Sequence, residues 1–176
     1  IGALLGDGCI TECVKNGSYD TLFSSADKEI VEEFERLGYN MSNWAQKENN
    51  AAKDYRIINP ELRKDLEGLK LYGHDAFSKY VPNIYKWGTV DTRLAIVQGL
   101  MDTDGSIDKR GHCSFSSVSE QLAKDMKFLI NSLGGLATIS KHKNHYIKDG
   151  ERIEAADYYC VYIRINESHR LFRLSR

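Results

Sequence analysis

Two copies of one corner constrain the fold of this chain more than any other feature of its sequence. In the first copy an apolar segment, residues 1–5, runs into Gly6-Asp7-Gly8; in the second, residues 94–101 run into Asp102-Thr103-Asp104-Gly105. The two Asp-Gly pairs stand 97 positions apart. Each corner predicts a helix that ends at an aspartate and is followed directly by a strand. We therefore predict that the two corners are halves of one composite site.

Three further landmarks recur in the same order and at similar offsets. A Phe-Ser-Ser triplet at 23–25 returns 92 positions later, a Leu-Gly pair at 37–38 returns 96 later, and the Ile-Asn strand end at 57–59 returns 107 later. Repeats of this kind indicate a duplication. The sequence thus predicts an α+β fold made of two pseudo-symmetric αββαββα halves, residues 1–90 and 91–176, with the two corner helices at the dyad.

Apolar spacing, helix caps and turn residues predict the elements of each half. The predicted helices run over 27–37, from Pro60 to Leu71, from Asp91 to Met101, over 119–133 and onward from Glu167. The predicted hairpins pair 9–15 with 19–25, 39–46 with 54–59, 106–108 with 112–116, and 136–147 with 156–165.

Composition narrows the class of protein. With 41% hydrophobic residues and two prolines the chain is predicted to be globular, and no apolar run approaches the roughly 18 residues of a membrane span. A net charge of −1 weighs against a nucleic-acid partner, but residues 1–104 carry −5 and residues 105–176 carry +4. Because the sequence has neither a signal peptide nor an initiating Met, we expect an intracellular fragment, processed product or insert.

The four cysteines favour a reduced intracellular protein, since they are scattered through strand-like stretches. An alternative is a zinc site assembled from Cys9, Cys13, His112 and Cys113. The spacing of Cys9 and Cys13 within one strand is poor for zinc and disfavours that alternative. A calcium loop beginning at Asp102 is excluded, because such a loop needs Gly at its sixth place and Glu at its twelfth.

Gly2 and Gly99 stand five positions before Asp7 and Asp104, respectively. Glycines at matching places allow two helices to approach closely, which would bring the two aspartates side by side at the same end. Two neighbouring carboxylates repel each other, and a divalent cation bound beside them removes that penalty. Oxygen ligands favour Mg²⁺, which keeps bound waters and can engage phosphate. Paired sites at a dyad could serve the two phosphodiester bonds of a duplex, one on each strand.

Residues 99–105, Gly-Leu-Met-Asp-Thr-Asp-Gly, resemble the LAGLIDADG motif, and residues 4–8, Leu-Leu-Gly-Asp-Gly, resemble its degenerate first copy. The whole chain resembles the LAGLIDADG homing endonucleases, above all the dodecapeptide-type domains carried by inteins. The resemblance implies a saddle-shaped DNA-binding surface and site-specific, Mg²⁺-dependent hydrolysis of double-stranded DNA at a long recognition site. It also implies action as a monomer, and an intein or an intron-encoded protein as the source.

The resemblance further assigns roles to individual residues. The last aspartate of each motif binds Mg²⁺ with the carbonyl of the residue before it, which gives Asp7 with Gly6 and Asp104 with Thr103. Lys79, which precedes a Tyr-Val-Pro segment, matches a lysine that polarises the attacking water or stabilises developing phosphate charge. The alternatives are helix-end caps for the two aspartates and an ordinary solvated side chain for the lysine.

The chain departs from the family pattern in two places. Leu5 replaces the first aspartate of the full motif, so Asp102 has no counterpart and is expected to be structural. By the offset of 107, the second-half counterpart of Lys79 would fall at about position 186, beyond Arg176. Intein splicing residues are absent too, so if the parent protein is an intein, only its nuclease portion is expected here. These departures leave a rival function open, a DNA- or RNA-binding LAGLIDADG protein, maturase-like, with weakened or lost catalysis.

Contacts to DNA are expected from exposed strand faces and from turns. Lys141, Lys143 and His145 alternate along one predicted strand, as a groove-facing row would. The same alternation is expected of any sheet with one wet face. The basic residues beside turns that could meet phosphates are Lys15, Lys109, Arg110, Lys148 and Arg152.

Overall fold

Each half of the chain forms a four-stranded antiparallel sheet; the computed structural model describes residues 1–13, 18–46 and 51–174. The first half comprises α1 (Gly2–Gly6), β1 (Gly8–Cys13), β2 (Ser18–Ser25), α2 (Lys28–Arg36), β3 (Asn40–Gln46), β4 (Lys53–Ile58), α3 (Pro60–Gly68) and α4 (Asn83–Lys86). The second comprises α5 (Val90–Asp104), β5 (Gly105–Ile107), β6 (Cys113–Ser117), α6 (Glu120–Ser132), β7 (Leu136–Lys148), β8 (Glu151–Arg164) and a 3-10 helix (Ser168–Leu171).

The strand order is the same in both sheets, β1-β2-β4-β3 in the first and β5-β6-β8-β7 in the second. Neighbouring strands are antiparallel throughout. The duplicated α+β fold predicted from the repeated landmarks is therefore confirmed.

Equivalent caps bound the equivalent helices of the two halves. The carboxylate of Asp27 accepts a hydrogen bond (3.0 Å) from the backbone N–H two residues later in α2, and Ser119 Oγ accepts one (3.1 Å) from the N–H three residues later in α6. Both helices end at a glycine with positive φ, 86° at Gly38 and 85° at Gly134. The same start and stop signals thus produce the same element twice.

Helices α1 and α5 cross at the centre and join both halves into one core. Phe23 and Phe115, the first residues of the repeated triplet, are fully buried under the helices of their respective sheets. Leu5, the residue that replaces a motif aspartate, is 2% exposed and therefore belongs to the core. None of the helices in the described ranges is long and apolar enough to cross a lipid bilayer.

Several element ends differ from the sequence prediction. The prediction of a helix from Glu167 onward is wrong. Glu167 has a φ of 54°, which an α-helix cannot take, and between Glu167 and residue 174, where the description ends, the chain forms one 3-10 turn. Thr89 rather than Asp91 caps α5, since Thr89 accepts a hydrogen bond from Thr92 N at 3.2 Å. The short helix α4 interrupts a segment predicted to be a connector, and β8 begins five residues earlier than predicted. The turn predicted at 48–50 lies outside the described residues.

Candidate functional site

The crossing of α1 and α5 depends on the two glycines that the repeat aligns. A methyl group placed on Gly99 would lie 2.5 Å from the amide nitrogen of Ala3 and 2.8 Å from the carbonyl carbon of Gly2. A methyl group on Gly2 would meet the carbonyl of Ile96 even more closely. Because backbone atoms of a packed helix cannot move aside as a flexible side chain would, both positions require glycine.

The crossing brings Asp7 and Asp104 to the same end of the helix pair. Asp7 is the residue that follows α1, and Asp104 is the last residue of α5. A Cβ atom on Gly6 would lie 3.0 Å from Asp104 Oδ2, so the Asp104 carboxylate lies directly against the first motif. The pKa of Asp104 is raised to about 6, first by burial and second by the negative charge of Asp7, against the opposing effect of Lys79.

Lys79 completes this group of charges. Its Nζ donates hydrogen bonds to the carbonyl oxygens of Gly6 (2.5 Å) and Gly8 (2.9 Å), on either side of Asp7. Burial lowers the pKa of Lys79, whereas the charges of Asp104 and Asp7 raise it. An ordinary solvated lysine does not describe this side chain, because it is held inside the junction of the two motifs.

The oxygen atoms at the junction suit a hard divalent cation. Two carboxylates converge there, and the carbonyls of Gly6 and Thr103 belong to the same two corners. Gly6 O already accepts from Lys79, which uses one of its two lone pairs. In the described part of the chain no three side chains of His, Cys, Asp or Glu converge, so a cation here would take its remaining ligands from carbonyls and water.

Asp102, the other acidic residue of the second corner, has a different environment. It is 5% exposed and faces the C-terminal segment rather than the junction. Its carboxylate accepts hydrogen bonds from the backbone N–H groups of Arg173 (3.1 Å) and Leu174 (3.4 Å). These contacts give Asp102 a structural role and account for its burial.

The faces of the second sheet separate the predicted DNA-contacting residues. Along β7, Ala137 and Ile139 pack on the core, and Lys141 follows on the same helix-covered face. Lys141 Nζ pairs with Asp157 (3.0 Å) and lies over the ring of Tyr159 (5.8 Å). This placement removes Lys141 from the open face, because side chains alternate along a strand and the pairing of β7 is regular from Ala137 to Lys141, although the Lys141 side chain remains 57% exposed.

The other basic residues of the prediction are exposed and lie farther out. Lys143 stands at a register irregularity between His142 and Asn144, and His145 is opposite Glu154. Lys109 and Arg110 lie in the β5–β6 turn, which Asp108 fixes by accepting from two backbone N–H groups. Lys148 and Arg152 flank the turn between β7 and β8, and Lys15 lies outside the described residues.

An aromatic group on the open face of the second sheet was missed by the sequence prediction. The rings of His142 and Tyr158 stack at 5.2 Å with an interplanar angle of 21°, and Tyr162 meets His142 edge-on at 6.4 Å. Tyr158 also lines the cleft that contains Asp104 and Lys79. Alternation along β7 and β8 could have found this group, but only once the pairing of the two strands was known.

The zinc alternative is not supported by the positions of the cysteines. Cys9 lies on β1 of the first sheet, whereas Cys113 lies buried on β6 of the second sheet. Among the described residues no three side chains of His, Cys, Asp or Glu converge, so the structure does not support a zinc site; the side chain of Cys13, the remaining cysteine of this alternative, lies outside the description.

The structure has the arrangement that the LAGLIDADG resemblance implies: two duplicated halves whose motif helices cross and carry one aspartate each to the same end. Residues 91–173 match the family described as LAGLIDADG-like domain. The resemblance drawn from the two motifs is thereby confirmed.

Solved structures of this class are similar over nearly the whole chain. A mesophilic variant of the homing endonuclease I-DmoI matches 97% of this chain and 88% of its own, at 13% identity and a TM-score of 0.61. I-DmoI in complex with DNA and Ca matches 95% of this chain and 81% of its own, at 13% identity and a TM-score of 0.61. The N-terminal LAGLIDADG domain of WhiA matches 99% and 79%, at 12% identity and a TM-score of 0.54. At these identities the likeness shows the fold alone.

One curated protein is similar in sequence over a shorter stretch. The replicative DNA helicase DnaB of Mycobacterium intracellulare is 39% identical over 57 residues, which are 32% of this chain and 10% of the helicase. The chain thus spans only a small part of the length of that relative, and the match carries no information on helicase activity.

Proposed function

We propose that this chain is a homing-type endonuclease that hydrolyses double-stranded DNA at a long recognition site with the help of a divalent cation. The single observation that carries the proposal is the junction of the two motifs. There Asp104, with its pKa raised to about 6, lies beside Asp7 and an internally bonded Lys79 amine. Strongly perturbed charges that converge from separate elements in a cleft are typical of catalytic sites.

Asp7 and Asp104 are the carboxylates that would hold the cation, together with the carbonyls of Gly6 and Thr103. Mg²⁺ is the proposed ion, and when bound it would activate water and withdraw charge from a phosphate oxygen. The raised pKa of Asp104 supports this assignment, because it reflects a charge that the fold alone does not compensate. Two similar solved structures are described as I-DmoI in complex with DNA and Ca and in complex with DNA and Mn, which supports proposing a divalent cation here.

Lys79 is the proposed electrostatic partner of the reacting phosphate. Its amine is held against the first motif by two carbonyl oxygens, so its positive charge is fixed within reach of the two aspartates. A fixed cation that is already oriented stabilises developing negative charge without having to reorganise. The proposed role is therefore to stabilise the charge on the phosphate or to orient the attacking water.

Double-stranded DNA is the proposed partner and the open faces of the two sheets are its proposed contact surface. The second half carries the positive share of the charge, +4 over residues 105–176, which suits phosphate contacts. Exposed Lys109, Arg110, Lys148 and Arg152 are the proposed phosphate contacts. We propose action as a monomer, because the duplicated fold supplies both halves of the site in one chain.

An intein is the proposed source of the chain, with an intron-encoded protein as the alternative. A match confined to a tenth of a replicative helicase is the pattern expected of a segment inserted in a host protein. An intracellular location follows from a DNA substrate and stays a proposal with it.

The test is a cleavage assay with purified protein and Mg²⁺. The substrates are an uninterrupted replicative-helicase gene and a plasmid library of random inserts, and the products are read by electrophoresis and sequencing. Asp104→Asn is expected to stop cleavage while duplex binding persists. Asp65→Asn removes an exposed carboxylate from α3 and is expected to cut as the wild type does. Equal cleavage by the Asp104→Asn variant would refute the assignment.

A binding-only LAGLIDADG protein is the second candidate function. The observation in its favour is the likeness to the WhiA domain, whose description names the LAGLIDADG fold and no nuclease. Tight and specific binding of a selected duplex without any cut in Mg²⁺ or Mn²⁺ would establish this candidate and overturn the enzyme.

A further inference from the structure

The backbone of Lys79 is held by the other half of the protein. Lys79 belongs to the first half, and its side chain reaches the first motif. Its carbonyl oxygen, however, accepts a hydrogen bond of 2.6 Å from Ser119 Oγ, at the N-terminus of α6 in the second half. Ser119 is fully buried, so water does not compete for this bond.

A second contact fixes the same segment two residues further on. Val81 N donates to Asp125 Oδ2 at 2.8 Å, and both residues are buried. The other carboxylate oxygen of Asp125 accepts from Lys86 Nζ (2.7 Å) and from Gln121 Nε2 (3.0 Å). Asp125 is therefore fully satisfied and held rigidly on α6. The lysine segment is clamped between two points of one helix.

We propose that Ser119 is a positioning residue for Lys79: its hydroxyl fixes the lysine backbone so that the amine reaches the carbonyls of Gly6 and Gly8. The second half thus sets the geometry of the lysine that serves the junction of both motifs. The inference rests on the proposed function only in giving Lys79 a catalytic role; the positioning itself is a property of the fold.

The position of Ser119 allows its two tasks to be separated. Its oxygen also caps α6 by accepting from Leu122 N at 3.1 Å, so removing the hydroxyl weakens the helix as well. Asp27 takes the matching cap position 92 residues earlier, on α2, which packs against β2 and β3. Asp27→Ala therefore removes an equivalent cap from the helix that does not carry the lysine clamp. Ser119→Thr keeps both the acceptor and the donor.

The first measurement is independent of cleavage. The full chain, in EDTA, is acetylated briefly with acetic anhydride, and the labelling of Lys79 relative to exposed Lys64 is read by peptide mass spectrometry. In Ser119→Ala this ratio is expected to rise about fivefold, the factor that a hydrogen bond of ordinary strength makes in an equilibrium. Asp27→Ala and Ser119→Thr are expected to leave the ratio at the wild-type value.

The second measurement is single-turnover cleavage of the selected site. Ser119→Ala is expected to cut about tenfold more slowly with the duplex dissociation constant unchanged, because a displaced lysine stabilises the reacting phosphate less. Ser119→Thr is expected to restore the rate. An unchanged labelling ratio in Ser119→Ala, or an equal rise at every lysine, would overturn the positioning role. Absence of cleavage by the wild type would overturn the proposed function, while the labelling ratio would still decide the positioning.

Discussion

Removing the charge of Asp104 should stabilise the protein, although the residue is proposed to be essential for activity. The pKa of this carboxyl is about 6 in the folded chain against an ordinary value of 3.8, chiefly because of burial and secondly because of Asp7. A raised pKa means that the ionised form is disfavoured by folding. The contribution of this carboxyl to stability therefore falls as the pH rises from about 4 to about 6, and its loss is complete above that window.

The size of the effect follows from the two pKa values. Their separation makes the ionised carboxylate cost about 3 kcal/mol of folding free energy at pH 7.5, and about 1 kcal/mol at pH 4.5. Asp104→Asn has nearly the same shape and cannot ionise. Its stability advantage over the wild type should thus grow by about 2 kcal/mol between pH 4.5 and pH 7.5.

The assay is urea denaturation in EDTA at these two pH values and constant ionic strength. Asp75→Asn is the control, because it also removes one carboxylate but from an exposed loop where hydrogen bonds from Ser78 lower the pKa of the aspartate. The control should gain no stability at pH 7.5. An advantage of Asp104→Asn that is the same at both pH values would refute the electrostatic reasoning, as would a gain of similar size in Asp75→Asn.

Two further predictions test the helix junction and the DNA surface. Gly99→Ala should lower the free energy of unfolding by about 3 kcal/mol, because the added methyl group would lie 2.5 Å from a backbone atom of α1. The control Gly68→Ala on α3 adds a methyl group that meets nothing and should raise the free energy of unfolding by up to about 1 kcal/mol. Urea denaturation of both variants checks this, and equal stabilities would contradict it. On generic duplex DNA, the double change Lys109→Ala/Arg110→Ala should reduce the slope of log affinity against log salt by about 2. Lys141→Ala should leave that slope unchanged, since Lys141 is paired on the helix-covered face; an equal loss from Lys141→Ala would refute this orientation.

Local sequence patterns were enough to predict most of the fold, because the same patterns occur in both halves of the chain. The helix caps, the stop glycines and the Phe-Ser-Ser triplet recur in both halves, and each copy made the other easier to interpret. Element ends were less predictable. No α-helix begins at Glu167, because its backbone is in the left-handed conformation, and the local sequence does not predict that conformation.

In the candidate site, too, some features could be predicted from the sequence and others could not. The two Asp-Gly corners can be recognised in the sequence, and so can Gly2 and Gly99, whose missing side chains allow two helices to approach closely. The environment of Asp102 is not visible, because the amides that bind it come from Arg173 and Leu174, 71 and 72 positions away in sequence. The missing counterpart at Leu5 predicted a structural role for Asp102, but the sequence could not show which groups Asp102 binds.

By itself the sequence determined the duplication, the helix crossing and the pair of aspartates, because each of these follows from short motifs that recur in the same order in both halves. Only the tertiary structure decided which side chains share the site. It brings Lys79 onto the carbonyls of the first motif, ties its backbone to Ser119, and turns Lys141 toward the helices. These contacts join residues 16 to 73 positions apart, and no local periodicity encodes a pairing between elements.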